Sequence, residues 1–162
     1  MIDSILKLMR KDKAEAEGLE VFSGLLLAST LSNRLASIDP SALAAFAQQG
    51  FRHILKKPHK HHSIGFTTTS LLAGSGETAQ TVLEILNDDM PYVVESVISA
   101  LHVEGLIPHL VFHPIFKVKR YGAGRLQAVV GPGDRHWGSG EQESYIAVLL
   151  DPLDADRRQR LA

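Results

Sequence analysis

The residues with most chemical promise are Asn87, Asp88, Asp89, Met90, Pro91 and Tyr92, followed by the run Val93, Val94, Glu95, Ser96 and Val97. They make a short acidic turn between an apolar strand pattern and an amphipathic helix pattern. A turn of this kind leaves the first amide N–H groups of the helix unpaired at the positive end of its dipole, where a small anionic ligand is held. The same residues have a second reading. One aspartate is then the helix N-cap, stabilising by about 1 kcal/mol, and Pro91 opens the helix where its missing N–H costs nothing. An acidic turn partly opposes an incoming carboxylate, which counts for the cap. Asn87, Asp88, Asp89, Met90 and Tyr92 are therefore candidate effector-binding residues with a structural alternative.

The other candidates are weaker. His59, His61 and His62, with His53 nearby, have metal-binding side chains. Zinc or nickel needs three or four convergent ligands, and neighbours in a Lys-rich loop with no carboxylate close by seldom converge. They read as a solvated basic linker, and no metal site is expected. His109 and His113 stand four apart on an extended stretch and read as surface or interface residues. Glu95 and Glu143 form a conceivable acid/base pair, but nothing places a nucleophile or activated water beside them. Arg120 and Arg125 flank a hairpin turn, where they could bind an acidic partner or a carboxylate, and read as solvated. His136 and Trp137 sit in a Gly-rich loop, where Trp serves equally as an interface anchor, a ligand cap or a plain surface residue. The clusters Gly131-Pro132-Gly133 and Gly138-Ser139-Gly140 have the wrong spacing for a dinucleotide loop and open a strand instead of a helix. With no cysteine, disulfides and thiolate chemistry are excluded.

A chain of 162 residues, 44% hydrophobic and 22% charged, holds one ordinary domain or a small domain with a helical extension. Its net charge of -1 gives no field that gathers nucleic acid or anionic membrane. The longest apolar run, over 21–31, is interrupted by Ser23, Gly24, Ser29 and Thr30 and is too short for a bilayer. Ile2, Asp3 and Ser4 do not supply a secretory start. These features point to the cytoplasm.

Ile2, Ile5, Leu6 and Met9 keep helical spacing, with Gly18 as a break. A second helix is predicted over 19–36, with Leu27, Leu31 and Leu35 spaced by four. Asp39 and Pro40 open a third helix, whose residues Leu43, Phe46, Ala47, Gly50 and Ile54 share a face. Residues 56–62 read as an exposed linker, 63–69 as a strand and 73–76 as a loop. Thr81, Leu83 and Ile85 alternate, predicting a strand with one buried face. A helix over 91–104 follows, with Val94, Val97, Ile98 and Leu101 on one side and Gly105 at its end. Residues 107–120 are extended, with Leu110, Phe112, Phe116 and Val118 on one side. A turn at 121–124 leads into a return strand, and 144–150 form the last strand. Asp151 to Asp154 begin another helix.

This order is a β-α-β-β-β unit of ferredoxin-like type in an α+β protein, with a second helix cut to about two turns. Pro114 cannot donate to a sheet ladder, so the second strand of the unit is predicted to be an edge, and Pro114 a candidate interface residue. The expected division is a helical region and basic linker over 1–62 and an α+β unit over 63–162, with its core at 77–153. The chain reads as a segment of something longer, and apolar surface left by the short helix is expected to drive self-association.

The run Thr81, Val82, Leu83, Glu84, Ile85, Leu86, Asn87, Asp88, Asp89, Met90, Pro91, Tyr92, Val93, Val94, Glu95, Ser96 and Val97, then His113-Pro114 with Arg120, then Glu143-Ser144-Tyr145, resembles the N-terminal region of the large bacterial NAD-specific glutamate dehydrogenases. In that family an acidic pair, a Pro, an aromatic and a valine-acid-serine run open the first helix of an ACT-like domain. The resemblance covers residues 77–153 well and 39–72 more loosely. It implies a parent enzyme that oxidises L-glutamate with NAD to 2-oxoglutarate and ammonia. It also implies that this segment holds neither the catalytic lysine nor the NAD site, which lie further towards the C-terminus. The implied role is regulation or assembly, with the rest of the parent polypeptide, a second copy or an amino-acid effector as partners. In an effector pocket of that type the turn's amides take the carboxylate and Asp88 or Asp89 the ammonium group. The alternative is a stand-alone ACT-type amino-acid sensor.

Overall fold

The computed structural model describes residues 13–58, 61–72, 79–135, 138 and 140–162. The predicted helix containing Ile2 to Met9, the loop at 73–76 and the candidates His136 and Trp137 lie outside these, as does His59. Helix α1 (Lys13–Ala28) passes through Gly18 without the expected break. Leu19, Phe22 and Leu26 on its inner face are all buried, and this packing outweighs the roughly 1 kcal/mol that an interior glycine costs. The helix predicted over 19–36 stops early. Its C-terminus closes where the Ser29 hydroxyl donates to the Leu26 carbonyl at 2.7 Å, and only a single turn, α2 (Ser32–Leu35), follows.

Helix α3 (Pro40–Ile54) begins as read from sequence. The Asp39 carboxylate accepts from the amides of Ser41 at 2.8 Å and Ala42 at 3.2 Å. These bonds hold the Asp39 carboxyl below its ordinary pKa, the Ser41 hydroxyl contributing most. The buried face carries Leu43, Phe46, Ala47, Gly50, Phe51 and Ile54, as the helical spacing predicts.

The strands are β1 (Ser63–Thr69), β2 (Gln80–Asp88), β3 (Leu110–Phe112), β4 (Ile115–Tyr121), β5 (Arg125–Val130) and β6 (Glu141–Leu150), with α4 (Val93–Val103) after β2 and α5 (Ala155–Leu161) at the end. The sheet order is β1-β2-β6-β4-β5, with β3 also paired to β6. Leu110–Phe112 lie opposite 147–149, and 115–118 opposite 141–144, so β3 and β4 run end to end along β6. β2, α4 and this interrupted strand thus form a split β-α-β unit with β6 between the strands, an α+β ACT-like fold.

Two sequence expectations change here. The extended stretch 107–120 is broken at His113-Pro114, where the Pro114 carbonyl accepts the Tyr145 amide at 3.1 Å. Of these two halves β3 is an edge among the described residues, whereas β4 is flanked by β5 on its far side, so the edge predicted from Pro114 holds for half the strand. β2 buries both faces instead of one, because helices lie above and below it. Val82 and Leu86 join the core under α1 and α3, while Leu83 joins the core under α4. In the first of these cores Phe22 contacts Phe116 at 5.9 Å and Tyr145 at 5.4 Å, both edge to face.

Candidate functional site

Strand alternation decides what the acidic turn can do. Side chains of even number on β2 point towards α1 and α3, and those of odd number towards α4. Asn87 and Asp88 are therefore on opposite faces of the sheet. Asn87 donates to the Met90 sulfur at 3.6 Å. Asp89 is tied to β6, its amide bonding the Gln142 carbonyl at 3.0 Å and its carboxylate accepting from the Gln142 amide group at 3.0 Å.

Neither aspartate caps α4, and Pro91 does not open it. The N-cap is Tyr92, in the left-handed region at φ 62° with no side-chain capping bond. Its ring is 77% exposed, and its carbonyl accepts from both the Ser96 amide and hydroxyl. Asp89, Met90, Tyr92 and Glu95 border a shallow depression together with His113 and Ile115. The His113 imidazole is half-buried; burial lowers its pKa, opposed by the charges of Asp89 and Glu95. Its Nε2 is buried without a hydrogen-bond partner among the described residues.

On the other face Asp88 belongs to a cluster of four charges. Glu143, on β6, shares the side of Tyr145 and is fully buried. Arg120, on β4, shares the side of Phe116 and Val118 and reaches Glu143 with both prongs, Nε to Oε1 at 2.9 Å and Nη2 to Oε2 at 2.7 Å. The remaining Arg120 nitrogen, Nη1, donates to the carbonyls of Ile54 at 3.1 Å and Gly124 at 3.0 Å. The Lys57 ammonium lies 3.3 Å from Glu143 Oε1 and also bonds the Asp88 carboxylate. The Arg120 side chain is thus only 10% exposed where sequence reading made it solvated, and Glu143 lies on the opposite face of the sheet from the exposed Glu95.

Lys57 corrects a second expectation. It was predicted to lie in an exposed linker, yet it is 3% exposed. The cause is tertiary. Its amide donates to the Gly124 carbonyl at 3.0 Å, and Lys56 bridges to Arg125, so the chain after α3 is laced to the β4–β5 turn. Gly124 permits this approach: it sits at φ +81°, and a Cβ there would lie 1.7 Å from the Lys57 carbonyl oxygen. Around the four charges opens a cleft of about 740 Å³, with Lys119, Gln127 and Glu141 also on its walls.

A second polar network sits deeper. Glu84 is 1% exposed and accepts from the Tyr145 hydroxyl at 2.6 Å and the Thr67 hydroxyl at 2.9 Å. Burial and the Glu84 charge push the Tyr145 phenol well above its ordinary pKa. The α3 backbone comes close because position 50 is glycine; a Cβ there would stand 2.9 Å from the Tyr145 oxygen.

The described histidines do not assemble. His53 packs tilted against Tyr145, with ring centroids 6.0 Å apart, and sits 3.3 Å from the Ser63 carbonyl, while His61 and His62 are exposed. His109 pairs with Asp151 at 2.8 Å, away from the setting of His113. Among the described residues no three potential metal ligands converge.

The family model described as "Glutamate dehydrogenase, ACT1 domain" matches residues 22–162. The chain belongs to that family. Comparison with curated proteins and with solved structures gave no match. The match begins inside α1 and so includes α3, β1 and the whole sheet of this ACT1 domain. Lys57 was the residue missed from sequence, and Arg120 was named there but read as solvated. The signal that Arg120 faces inward was its parity with Phe116 and Val118, and for Lys57 there was none.

Proposed function

We propose that this ACT1 domain is a non-catalytic regulatory segment of an NAD-dependent glutamate dehydrogenase, whose parent polypeptide converts L-glutamate, NAD and water to 2-oxoglutarate, ammonia and NADH. The supporting observation is the cleft above the Lys57–Glu143–Arg120 cluster on a chain matched to a glutamate dehydrogenase domain. Its buried ionisable groups are committed to one another. Glu143 has both oxygens on Arg120, so it is poorly placed to act as a base, whereas a half-open, charged cleft suits reversible binding.

Under this reading the partners are the rest of the parent polypeptide, a second copy and a small effector, with no role for nucleic acid or membrane. Among the described residues strand β1 carries no further strand on its outer edge, which suits pairing between copies. No helix among the described residues is long and apolar enough to cross a membrane.

The test compares glutamate-dependent NAD reduction by the parent polypeptide with and without this segment. The expected result is turnover that persists but no longer responds to added amino acids. NAD reduction by the 162-residue chain alone would overturn the reading.

A further inference from the structure

The charge count of the cluster is uneven. Its interior holds two cations, the Lys57 side chain at 4% exposure and Arg120 at 10%, against a single carboxylate, Glu143 at 0%. Arg120 takes both Glu143 oxygens, so the unbalanced charge is that of Lys57. A buried ammonium is retained only with an anion beside it. Beside Glu143, which it shares with Arg120, that ammonium has Asp88, whose side chain is 58% exposed and has no other partner among the described residues. The interior cation is therefore fixed, while its counter-ion stands at the rim of the cleft and can rotate into water.

We propose that Lys57 anchors a binding site for a small carboxylate metabolite, which replaces Asp88 on the ammonium group. The ligand class rests on the regulatory reading above; the position rests on the geometry. Arg120 cannot be the anchor, because Nη1 is held by two backbone carbonyls and the other prongs by Glu143. Lys57 has three N–H groups and two carboxylate neighbours, so a ligand carboxylate that takes the place of the exposed Asp88 leaves the buried ammonium paired throughout. The cleft of about 740 Å³ has the volume of a metabolite site. Gln127 on its wall offers a donor and an acceptor to the rest of the ligand. An amino acid would also offer its ammonium group to the displaced Asp88, whereas a keto acid would leave Asp88 in water.

The test is calorimetric titration of the 162-residue chain with L-glutamate, 2-oxoglutarate and sodium sulfate, on the unaltered sequence and on Lys57→Met and Asp88→Asn. The expected result is binding of at least one carboxylate, weakened about tenfold or more by Lys57→Met, as loss of a charge-assisted hydrogen bond implies. Asp88→Asn removes the competing counter-ion and is expected to tighten 2-oxoglutarate about two- to fivefold. Loss of L-glutamate binding alone in Asp88→Asn also supports the site and identifies the ammonium contact. No binding of either carboxylate, equal binding of sulfate, or affinities unchanged by both substitutions would overturn the proposal. Should Lys57→Met not fold, Asp88→Asn at its exposed position decides alone, unchanged affinity for both carboxylates counting against the site. A parent enzyme that ignores a ligand bound at Lys57 would sink the regulatory reading and leave the site standing. A parent that responds to the ligand equally with Lys57→Met would do the reverse.

Discussion

Removing Glu143 is expected to destabilise the domain more than removing any other charge, and the size of the effect follows from what it leaves behind. Glu143 is fully buried and, among the described residues, is the one interior carboxylate facing Arg120 and Lys57. In Glu143→Leu two cations, 10% and 4% exposed, lose that partner, and Lys57 keeps only the rim aspartate. Breaking a buried pair from one side costs about 3–5 kcal/mol, because the desolvated charge left behind is uncompensated. For a chain of this length that corresponds to a fall of about 6–20 °C in Tm. Arg120→Met is expected to cost less, since Lys57 still faces Glu143, although the carbonyls of Ile54 and Gly124 lose a donor. The double variant removes both partners, so its cost should fall near that of the milder single variant and well below the sum. Urea denaturation of all four proteins gives the coupling. A Glu143→Leu cost under about 1 kcal/mol, or simple additivity in the double variant, would refute the claim that these charges depend on one another for burial.

Gly124→Ala forces a Cβ against the Lys57 carbonyl at a positive φ and should cost about 2 kcal/mol or more, read as a lower urea midpoint. Tyr145→Phe leaves the buried Glu84 with the Thr67 hydroxyl alone and should cost about 1–3 kcal/mol, measured the same way. The phenolate absorbance of Tyr145 should be absent from the folded protein above pH 10 and appear on unfolding, given its raised pKa. His113 has a folded pKa below 6.5, so the unfolded chain takes up its proton first as pH falls. Its contribution to stability should therefore be full above pH 6.5 and decline below it until the folded pKa is passed, and His113→Gln should flatten that part of a Tm-against-pH profile.

The amino-acid order determined the elements that rest on local chemistry. Asp39 followed by Pro40 specifies a helix start through a side-chain cap and a preset φ, and α3 begins there. The spacing of Leu43, Phe46, Ala47, Gly50 and Ile54 fixed its buried face, and the parity of Leu110, Phe112, Phe116 and Val118 fixed which side of β3 and β4 is inward. The split β-α-β order was legible for the same reason: periodicity is a property of neighbouring residues. The helix start at 91 was misread because Tyr92 adopts the left-handed region, a conformation that no local signal for a tyrosine announces.

The tertiary structure decided the site. Asn87 and Asp88 are adjacent in the chain and separated by the sheet, since successive strand residues face opposite ways. Lys57, Asp88, Arg120 and Glu143 come from four stretches far apart in sequence and meet because β6 pairs with both β2 and β4, while the chain after α3 is laced to Gly124. Whether a charged residue in such a sequence faces water or a buried partner depends on which strands become neighbours. That pairing is set by long-range packing on both faces of the sheet, and no window of consecutive residues contains it.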